Sequence, residues 1–192
     1  MYQIRWHGRG GQGAVTAARM FGLAASVYGG CFAQSFPAFG AERRGAPVLA
    51  FTKVDSVPIL DRSQIYQPDL VVVLDKTLIK VIDVTVGLKT GGKILVNASE
   101  VPEELRAGRA GGRFQVVAVN ATQIALEVLE KPITNTAMAG AACKVSGLVP
   151  FASLKKAIAE VTPPNLVDRN LLAALRAYQE VDLSTGGGNQ VG

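Results

Sequence analysis

A glycine-rich turn near the start of the chain has the residue types and spacing that could bind a ligand. Residues 8–13 read Gly-Arg-Gly-Gly-Gln-Gly and lie between a short strand, residues 4–7, and a helix of small residues that begins at Ala14. Glycine permits a tight turn and lets a ligand approach the backbone closely. Because the first N–H groups of a helix are unpaired and carry a partial positive charge, an anion is favoured there. The turn therefore predicts a bound phosphate or carboxylate, or a backbone packed hard against a partner.

The glycine spacing matches the dinucleotide-binding pattern G-x-G-x-x-G through Gly8, Gly10 and Gly13. That pattern also needs an Asp or Glu about 20 residues later, at the end of the second strand, to bind the ribose. Residues 31–37 contain no acid, and the first one is Glu42. The turn is not a P-loop either, since no Gly-Lys-Ser/Thr closes it. NAD or FAD binding is therefore disfavoured, whereas another anion, an interface and a purely structural turn stay open.

A second segment, residues 36–47, contains prolines and glycines that prevent a regular element. It presents Glu42, Arg43 and Arg44 together on one loop. Because neighbouring guanidinium groups bind phosphate or carboxylate in a bidentate way, the two arginines are candidates for ligand binding. An ion pair between Glu42 and one of the arginines is the alternative. The two phenylalanines of the loop are expected to be packing groups.

Residues 134–148 form a third notable segment, in which Ala, Gly and Cys cover nearly every face of a predicted helix. Thr134 or Asn135 can cap its start. A helix of such small side chains buries little surface alone, so it is useful only where another backbone comes very close. That neighbour can be the sheet of its own domain or a helix of another chain, and internal packing is the commoner arrangement.

Composition indicates one globular domain. The chain has 192 residues, of which 48% are hydrophobic and 18% charged, and this length is sufficient to bury a core. The first 53 residues hold six Lys or Arg and one Asp or Glu, so the net charge of +5 lies entirely there. This cationic segment favours an anionic ligand or an acidic partner. An uneven distribution of charge on a solvated surface would give the same sequence pattern. Nucleic acid is a poor candidate, because the sequence has no lysine-rich helix and no basic-aromatic strand.

Location and redox context follow from the same sequence. No apolar run is long enough to cross a bilayer, and Arg5 and His7 interrupt the pattern of a signal peptide, so a cytoplasmic location is expected. Cys31 and Cys143 stand alone without a C-x-x-C motif, which supports neither a metal site nor an iron–sulfur cluster. A disulfide between them stays open, but two free thiols are the expectation in a reducing compartment.

Catalytic machinery is not recognisable in the sequence. His7, the single histidine, ends the first predicted strand beside the glycine turn. A general base there is conceivable, but no Ser or Cys nucleophile motif accompanies it, so a structural or ligand-contacting imidazole is favoured. No carboxylate pair and no metal-ligand cluster stand in a recognisable context. The sequence thus offers a binding site without the machinery of an enzyme, which indicates a subunit.

Apolar runs alternate with helical patterns, which indicates an α/β fold. We expect a three-layer α/β/α, Rossmann-like arrangement with a mostly parallel sheet and a helical C-terminal third. Residues 47–54 alternate in polarity and are expected to form an edge or antiparallel strand. The predicted strands are 3–7, 30–36, 47–54, 69–75, 92–98 and 114–120. The predicted helices are 13–28, 76–89, 122–130, 135–148, 151–161 and 166–181. Residues 1–183 are expected to form one domain and residues 184–192 a disordered glycine-rich tail.

Taken together, the motifs at residues 7–13, 36–47 and 135–141 resemble the gamma subunit of the 2-oxoacid:ferredoxin oxidoreductases. The resemblance runs over residues 3–182 in the right order, and the Phe-Gly-x-Glu-Arg-Arg-Gly loop is its most specific part. It implies an α/β subunit, inactive alone, of an enzyme that decarboxylates a 2-oxoacid on thiamine diphosphate. That enzyme passes electrons through iron–sulfur clusters to ferredoxin and forms an acyl-CoA.

The resemblance also implies how these tasks are divided. Thiamine diphosphate, Mg²⁺ and the iron–sulfur clusters belong to partner subunits, named alpha, beta and delta, through which ferredoxin is reached. The gamma subunit is associated with coenzyme A. The sequence of the loop at residues 36–47 is similar to that of the family members that act on pyruvate and branched-chain 2-oxoacids. Complexes that act on aryl oxoacids or oxalate can share this loop sequence.

Coenzyme A carries a 3′-phosphate and a diphosphate, which suit a cationic segment and the start of a helix. The candidate cofactor-binding residues are Gly8, Arg9, Gly10, Gly11, Gln12, Gly13, Glu42, Arg43, Arg44 and Asn135. No catalytic or metal-binding residue is expected. Two other interpretations stay open: a non-catalytic assembly subunit whose loops bind protein, and a less favoured stand-alone dinucleotide-binding reductase.

Overall fold

A computed structural model describes residues 1–38, 44–110 and 114–183, and of residues 107–110 it describes the backbone alone. The elements in chain order are β1 (Tyr2–Arg9), α1 (Ala14–Ser26), β2 (Phe32–Pro37), β3 (Pro47–Asp55), β4 (Leu70–Val73), β5 (Gly92–Asn97), α2 (Glu103–Ala110), β6 (Phe114–Val119), α3 (Ala121–Leu129), α4 (Asn135–Ser146), α5 (Phe151–Val161) and α6 (Val167–Glu180). Two 3-10 helices lie at Lys76–Lys80 and Pro164–Leu166. The tail predicted at residues 184–192 lies outside the described residues, and a single domain over residues 1–183 stays a prediction.

The strands form one sheet in the order β2-β3-β1-β4-β5-β6. β1, β4, β5 and β6 run parallel to one another. β3 is antiparallel to both of its neighbours, β1 and β2. The predicted α/β class with a mostly parallel sheet is confirmed. The antiparallel character predicted for residues 47–54 is confirmed too, although this strand lies one place in from the sheet edge.

The two faces of the sheet are covered in different ways. On one face, Trp6 and Leu95 belong to a core shared with α1 and with the C-terminal helices α3–α6. On the other face, Val73 packs with Val84 of the β4–β5 connection and with Leu105 of α2. Because these strands are covered on both sides, their sequences are apolar runs rather than alternating patterns. The helical C-terminal third therefore lies on the same face as α1.

The helix predicted for residues 76–89 is wrong. The structure has a 3-10 helix at Lys76–Lys80, followed by turns. The carboxylates of Asp75 and Asp83 each accept a hydrogen bond from the backbone N–H two residues further on. Such local bonds compete with the helical hydrogen-bond pattern and favour turns.

Two further causes keep the β4–β5 connection non-helical. Residues 81–86 are rich in β-branched side chains, which lower helix propensity. In addition, Nη2 of Arg5 donates to the carbonyl oxygens of Val84 and Val86 at 2.9 and 2.8 Å. An arginine of β1 therefore holds this connection across the sheet, a long-range contact that the local sequence does not reveal.

The helix α2 is an element that the apolar pattern did not predict. Leu105 is its buried contact with the sheet, and one apolar anchor does not make the periodic stripe on which such predictions rest. Its start nevertheless carries a signal. Pro102 precedes Glu103 and Glu104 of the first turn, and proline and acidic residues are both favoured at helix starts.

The small-residue helix α4 packs inside the chain. A Cβ on Gly140 would overlap the carbonyl oxygen of Ala174 on α6, so the two backbones are in direct contact. Internal packing is therefore the arrangement found, with a helix of the same chain as a very close neighbour.

Both cysteines are free thiols, as expected. Cys31 is half-buried, whereas Cys143 is buried and its Sγ donates to the carbonyl oxygen of Val149 at 2.7 Å. A separate finding concerns membranes: within the three described ranges, every helix is too short or too polar to span a bilayer.

Candidate functional site

The glycine turn lies at the carboxyl end of β1, beside the carboxyl end of β4. Within the sheet, β2 and β3 lie to one side of β1, and β4, β5 and β6 lie to its other side. The strand order therefore reverses between β1 and β4, and open α/β sheets bind ligands at such a point. The N–H of Leu74 donates to the carbonyl oxygen of His7 at 2.8 Å and keeps the two strand ends together.

Two glycines of the turn adopt a backbone conformation that side chains disfavour. The φ angle is 94° at Gly11 and 78° at Gly13. The N–H of Gln12 donates to the carbonyl oxygen of Arg9 at 2.9 Å and closes the turn. Helix α1 begins directly after Gly13, and no side chain caps it. Its first N–H groups therefore suit an anion at this place.

The guanidinium of Arg9 makes hydrogen bonds within the protein. Its Nε donates to Oδ2 of Asp75 at 3.0 Å, and its Nη2 donates to Oγ1 of Thr77 at 2.9 Å. Its Nη1 donates to the carbonyl oxygen of Gly45 at 3.1 Å. The Arg9 side chain therefore joins the turn to the end of β4 and to the segment around Gly45, and its charge is paired.

Gln12 makes a second link between the turn and Asp75. Its Nε2 donates to Oδ2 of Asp75 at 2.9 Å, and its Oε1 accepts from the N–H of Arg9 at 2.8 Å. Oδ1 of Asp75 accepts from the N–H and the hydroxyl of Thr77 at 2.9 and 2.7 Å. Burial raises the pKa of Asp75, but hydrogen bonds from Thr77 and Gln12 and the charge of Arg9 outweigh it, so the pKa lies below its ordinary value. The carboxylate is therefore ionised at neutral pH.

The segment 44–46 is attached directly to the glycine turn. The N–H of Gly10 donates to the carbonyl oxygen of Ala46 at 2.9 Å, and the N–H of Gly45 donates to the carbonyl oxygen of Gly10 at 3.1 Å. Arg44 pairs with Gly10 in a short parallel bridge and is exposed. The backbone of Arg44 therefore lies next to the turn.

The other predicted residues of this loop are placed as follows. Glu42, Arg43 and Phe39 lie outside the described residues. Phe36 packs against Phe51, with ring centroids 5.4 Å apart. The packing role predicted for Phe36 is therefore confirmed.

The side chain of Asn135, at the start of α4, lies against the turn. A Cβ built on Gly13 would be 2.7 Å from Nδ2 of Asn135. Oδ1 of Asn135 accepts from the N–H of Thr136 at 2.8 Å, which orients the amide. The structure therefore brings three predicted parts together, namely the glycine turn, Arg44 and Asn135.

Two cavities of about 430 Å³ each open beside these residues. The first lies at the turn and the start of α1, and its wall includes Arg19, Pro37 and Val48. The second lies between α1, α4 and α6, and its wall includes Met20, Ile133, Asn135 and Asn170. Thr16 lines both cavities. A cationic space and a mainly apolar space therefore adjoin at one residue of α1.

Comparison with known proteins decides the family. Residues 3–180 match the family model described as pyruvate ferredoxin/flavodoxin oxidoreductase. The chain belongs to this family. It is 47% identical over 183 residues to the pyruvate/ketoisovalerate oxidoreductases common subunit gamma of Pyrococcus furiosus, a match that covers 95% of this chain and 98% of that relative. The resemblance to a gamma subunit is therefore confirmed.

Solved structures agree with the family. The pyruvate oxidoreductase subunit PORC of Thermotoga maritima is 38% identical and aligns with a TM-score of 0.80, over 94% of this chain and 97% of that chain. The chain is thus the gamma subunit of a multisubunit 2-oxoacid:ferredoxin oxidoreductase.

A more distant structure shares the fold. The 2-oxoglutarate:ferredoxin oxidoreductase from Magnetococcus marinus, solved with 2-oxoglutarate, coenzyme A and succinyl-CoA bound, is 17% identical to the gamma subunit. It aligns with a TM-score of 0.69 over 93% of this chain and 30% of that chain. At this identity the likeness shows the fold alone.

His7 of the gamma subunit is a buried group of β1. Its side chain is only 4% exposed, and its Nε2 accepts from Nε of Arg5 at 3.0 Å. Burial, and secondly the charge of Arg5, lower the pKa of His7 to about 3. Among the described residues, its Nδ1 has no hydrogen-bond partner. A neutral, buried imidazole favours the structural interpretation over a general base.

Sequence reasoning missed Asp75 and Thr77, which complete the hydrogen-bond network of the turn. A signal for them was present in the sequence. Asp75 closely follows a buried strand, and Thr77 lies two residues further on, which is the spacing of an Asx turn. An acid at the carboxyl end of a central strand is also where side chains from other segments converge.

Proposed function

We propose that this gamma subunit binds the anionic end of coenzyme A, in a complex that oxidatively decarboxylates pyruvate or a closely related 2-oxoacid to an acyl-CoA. The supporting observation is the meeting of three distant segments at the start of α1: the glycine turn, Arg44 and Asn135. Helix starts, backbone N–H groups at glycine turns and guanidinium groups are the groups with which proteins bind phosphate.

The two adjoining cavities support this class of ligand. The cavity at the turn has Arg19 in its wall and suits phosphate. The lining of the second cavity combines apolar side chains and the amides of Asn135 and Asn170 with Lys131 and the ion pair of Arg169 and Glu130. Such a lining suits a group that has apolar surface and hydrogen-bonding atoms. Coenzyme A contains both kinds of group, whereas a simple inorganic anion would use the first cavity alone.

The residues of the second cavity are organised for polar contacts. Oγ1 of Thr136 donates to Oδ1 of Asn170 at 2.8 Å, and Nδ2 of Asn170 donates to the carbonyl oxygen of Leu166 at 2.9 Å. At the cavity wall, Arg169 pairs with Glu130 at 3.2 Å. The amide of Asn170 is thereby fixed, so it can contribute to recognition without a large loss of side-chain freedom.

We assign decarboxylation and electron transfer to partner subunits. By resemblance, alpha, beta and delta subunits carry thiamine diphosphate, Mg²⁺ and the iron–sulfur clusters, and pass electrons to ferredoxin. The relative from Pyrococcus furiosus is described as a gamma subunit common to pyruvate and ketoisovalerate oxidoreductases, which supports pyruvate and branched-chain 2-oxoacids as substrates. The part of this chain is to bind and orient coenzyme A, in a complex that we place in the cytoplasm.

Purification of the complex from its host, followed by assays with ferredoxin as the acceptor, tests the assignment of substrate and partners. We expect larger chains with thiamine diphosphate and iron–sulfur clusters to accompany this chain, and activity with pyruvate or 2-oxoisovalerate. A complex active only with an aryl oxoacid or oxalate would contradict the substrate, and a lone chain would contradict the partners.

The Arg44→Ala variant of the assembled complex tests the coenzyme A site. Loss of one charge-assisted contact to phosphate should raise the KM for coenzyme A about tenfold, since such a contact contributes about 1.5 kcal/mol. The kcat and the KM for the 2-oxoacid should not change. Arg106→Ala is the matched control, because Arg106 is also exposed but pairs with Glu100 beside α2, on the other face of the sheet.

A non-catalytic assembly subunit is the second candidate function. It is favoured by the internal use of the Arg9 guanidinium, which leaves the turn with less free positive charge than its sequence indicates. In that case, Arg44→Ala leaves the KM for coenzyme A unchanged and instead weakens the association with partner subunits, which size-exclusion chromatography of the complex detects.

A further inference from the structure

We infer that Asp75 is a positioning residue of the coenzyme A site, which holds the glycine turn and the Arg44 segment in one arrangement without touching the ligand. For the identity of the ligand the inference rests on the proposed function. For the role of Asp75 it rests on the hydrogen bonds that its carboxylate makes.

The carboxylate of Asp75 is already saturated by the chain. Oδ2 accepts from Nε of Arg9 and Nε2 of Gln12, and Oδ1 accepts twice from Thr77. The side chain is 17% exposed. A negative charge at this place would also repel a phosphate. Asp75 therefore has neither a free oxygen nor the right charge for direct contact with an anionic ligand.

The hydrogen bonds of Asp75 lead to the site along two routes. Through Gln12, whose Oε1 accepts from the N–H of Arg9, the carboxylate fixes the shape of the turn. Through the guanidinium of Arg9, whose Nη1 donates to the carbonyl oxygen of Gly45, it fixes the segment next to Arg44. One carboxylate at the end of β4 thus sets the relative position of two segments that are distant in sequence.

The competing explanation is that Asp75 only neutralises the charge of Arg9. It predicts a change of opposite sign in the affinity for coenzyme A when Asp75 is replaced. If Asp75 only compensates the charge of Arg9, its removal releases a guanidinium beside an anionic ligand, and the affinity for that ligand rises. If Asp75 positions the turn and the Arg44 segment, its removal separates groups that must act together, and the affinity falls. The direction of the change in KM for coenzyme A therefore separates the two.

The Asp75→Asn variant of the assembled complex is the decisive test, because it keeps the side-chain shape and removes the charge. We expect the KM for coenzyme A to rise about tenfold, as for the loss of one charge-assisted hydrogen bond, with the kcat and the KM for the 2-oxoacid unchanged. Asp83→Asn is the matched control. Asp83 accepts from the N–H and hydroxyl of Thr85 in the same kind of turn and the same connection, and both donors belong to Thr85, not to the glycine turn.

Hydrogen exchange of the complex without coenzyme A gives a readout that is independent of the ligand. In Asp75→Asn, amides at residues 9–12 and 44–46 should exchange faster than in the unmodified complex, and in Asp83→Asn they should not. If Asp75→Asn prevents assembly, Thr77→Ala serves instead with Thr85→Ala as its control, since it removes one donor to Asp75 and one acceptor of Arg9. We expect changes of the same sign and smaller size.

Each combination of results has a distinct meaning. A lowered KM for coenzyme A in Asp75→Asn overturns the positioning role alone. The same conclusion follows if Asp75→Asn changes neither the hydrogen exchange nor the KM, while Arg44→Ala raises the KM. An unchanged KM in both variants, with faster exchange in Asp75→Asn, overturns the coenzyme A function and with it any role of Asp75 toward that ligand. A raised KM together with faster exchange supports both.

Discussion

The side-chain amide of Asn135 lies so close to Gly13 that a Cβ at this glycine would be 2.7 Å from Nδ2. The contact joins the start of α4 to the start of α1, two helices between which the chain forms the strands β2–β6. Gly13 is therefore required for two reasons, namely its φ of 78° and the space taken by the amide. Neighbouring Gly11 shares the first requirement but not the second, since a Cβ there meets nothing within 4 Å.

Substitution of Gly13 should therefore cost more stability than substitution of Gly11. We expect Gly11→Ala to lower the free energy of unfolding by about 1 kcal/mol, which is the backbone cost of a left-handed conformation. Gly13→Ala should lower it by about 2–3 kcal/mol, because the overlap with Asn135 adds to that cost. Urea unfolding of the purified chain measures both. In an Asn135→Ala background the difference between the two variants should shrink, and an unchanged difference would contradict the contact.

Contact between the α4 and α6 backbones makes Gly140 sensitive to a single methyl group. Alanine is favoured over glycine inside a helix by about 1 kcal/mol, so propensity alone predicts a more stable variant. The overlap with the carbonyl oxygen of Ala174 reverses this, and we expect Gly140→Ala to lower the free energy of unfolding by about 2 kcal/mol. Gly147→Ala is the comparison, because a Cβ there meets nothing within 4 Å and only the backbone cost of its φ of 66°, about 1 kcal/mol, is expected. A stabilised Gly140→Ala variant would show that the helices are not in backbone contact.

Acid should destabilise the chain partly through His7. Because burial and Arg5 lower its pKa from 6.5 to about 3, the unfolded chain binds a proton at higher pH than the folded chain. The resulting stability is present above pH 6.5 and is lost as the pH falls toward 3. Between pH 7 and pH 5 this contribution amounts to about 2 kcal/mol.

The variant His7→Gln isolates this effect, since glutamine keeps an acceptor for Nε of Arg5 and does not titrate. The loss of unfolding free energy between pH 7 and pH 5 should be about 2 kcal/mol smaller in the variant than in the unmodified chain. Between pH 7 and pH 8 the two proteins should show equal changes. Equal changes over the acidic range as well would mean that His7 is not buried as a neutral group.

The two cysteines should differ sharply in reactivity. Cys143 donates to the carbonyl oxygen of Val149, and burial raises the pKa of its thiol to about 12. Since the thiolate is the reactive form, iodoacetamide should modify half-buried Cys31 first and leave Cys143 intact. Mass spectrometry of Cys31→Ser before and after urea unfolding checks this. Rapid labelling of the folded Cys31→Ser chain would contradict the packing of α4.

Local sequence pattern was sufficient where the spacing of apolar or small side chains decides an element. The strand Leu70–Val73 is a buried apolar run, and α4 is a run of small residues that begins at the predicted position, although the side chain of Thr134 makes no cap hydrogen bond. The helix predicted at residues 76–89 failed because Asp75 and Asp83 satisfy nearby N–H groups and Arg5 binds two carbonyls from another strand. The pairing of Arg9 with Asp75 was not predicted either, since the two residues are far apart in the sequence.

The sequence alone determined the α/β class, the family, and the three motifs from which the site is built. This was possible because glycine spacing, apolar periodicity and the sequence of a loop are local properties of the chain. Only the tertiary structure decided that Asn135 rests on Gly13, that the charge of Arg9 is paired with Asp75, and that α4 meets α6 through Gly140. The physical reason is the same in each case. Contact geometry, desolvation and charge pairing depend on which distant segments share a place in space, and the strand order of the sheet brings those segments together.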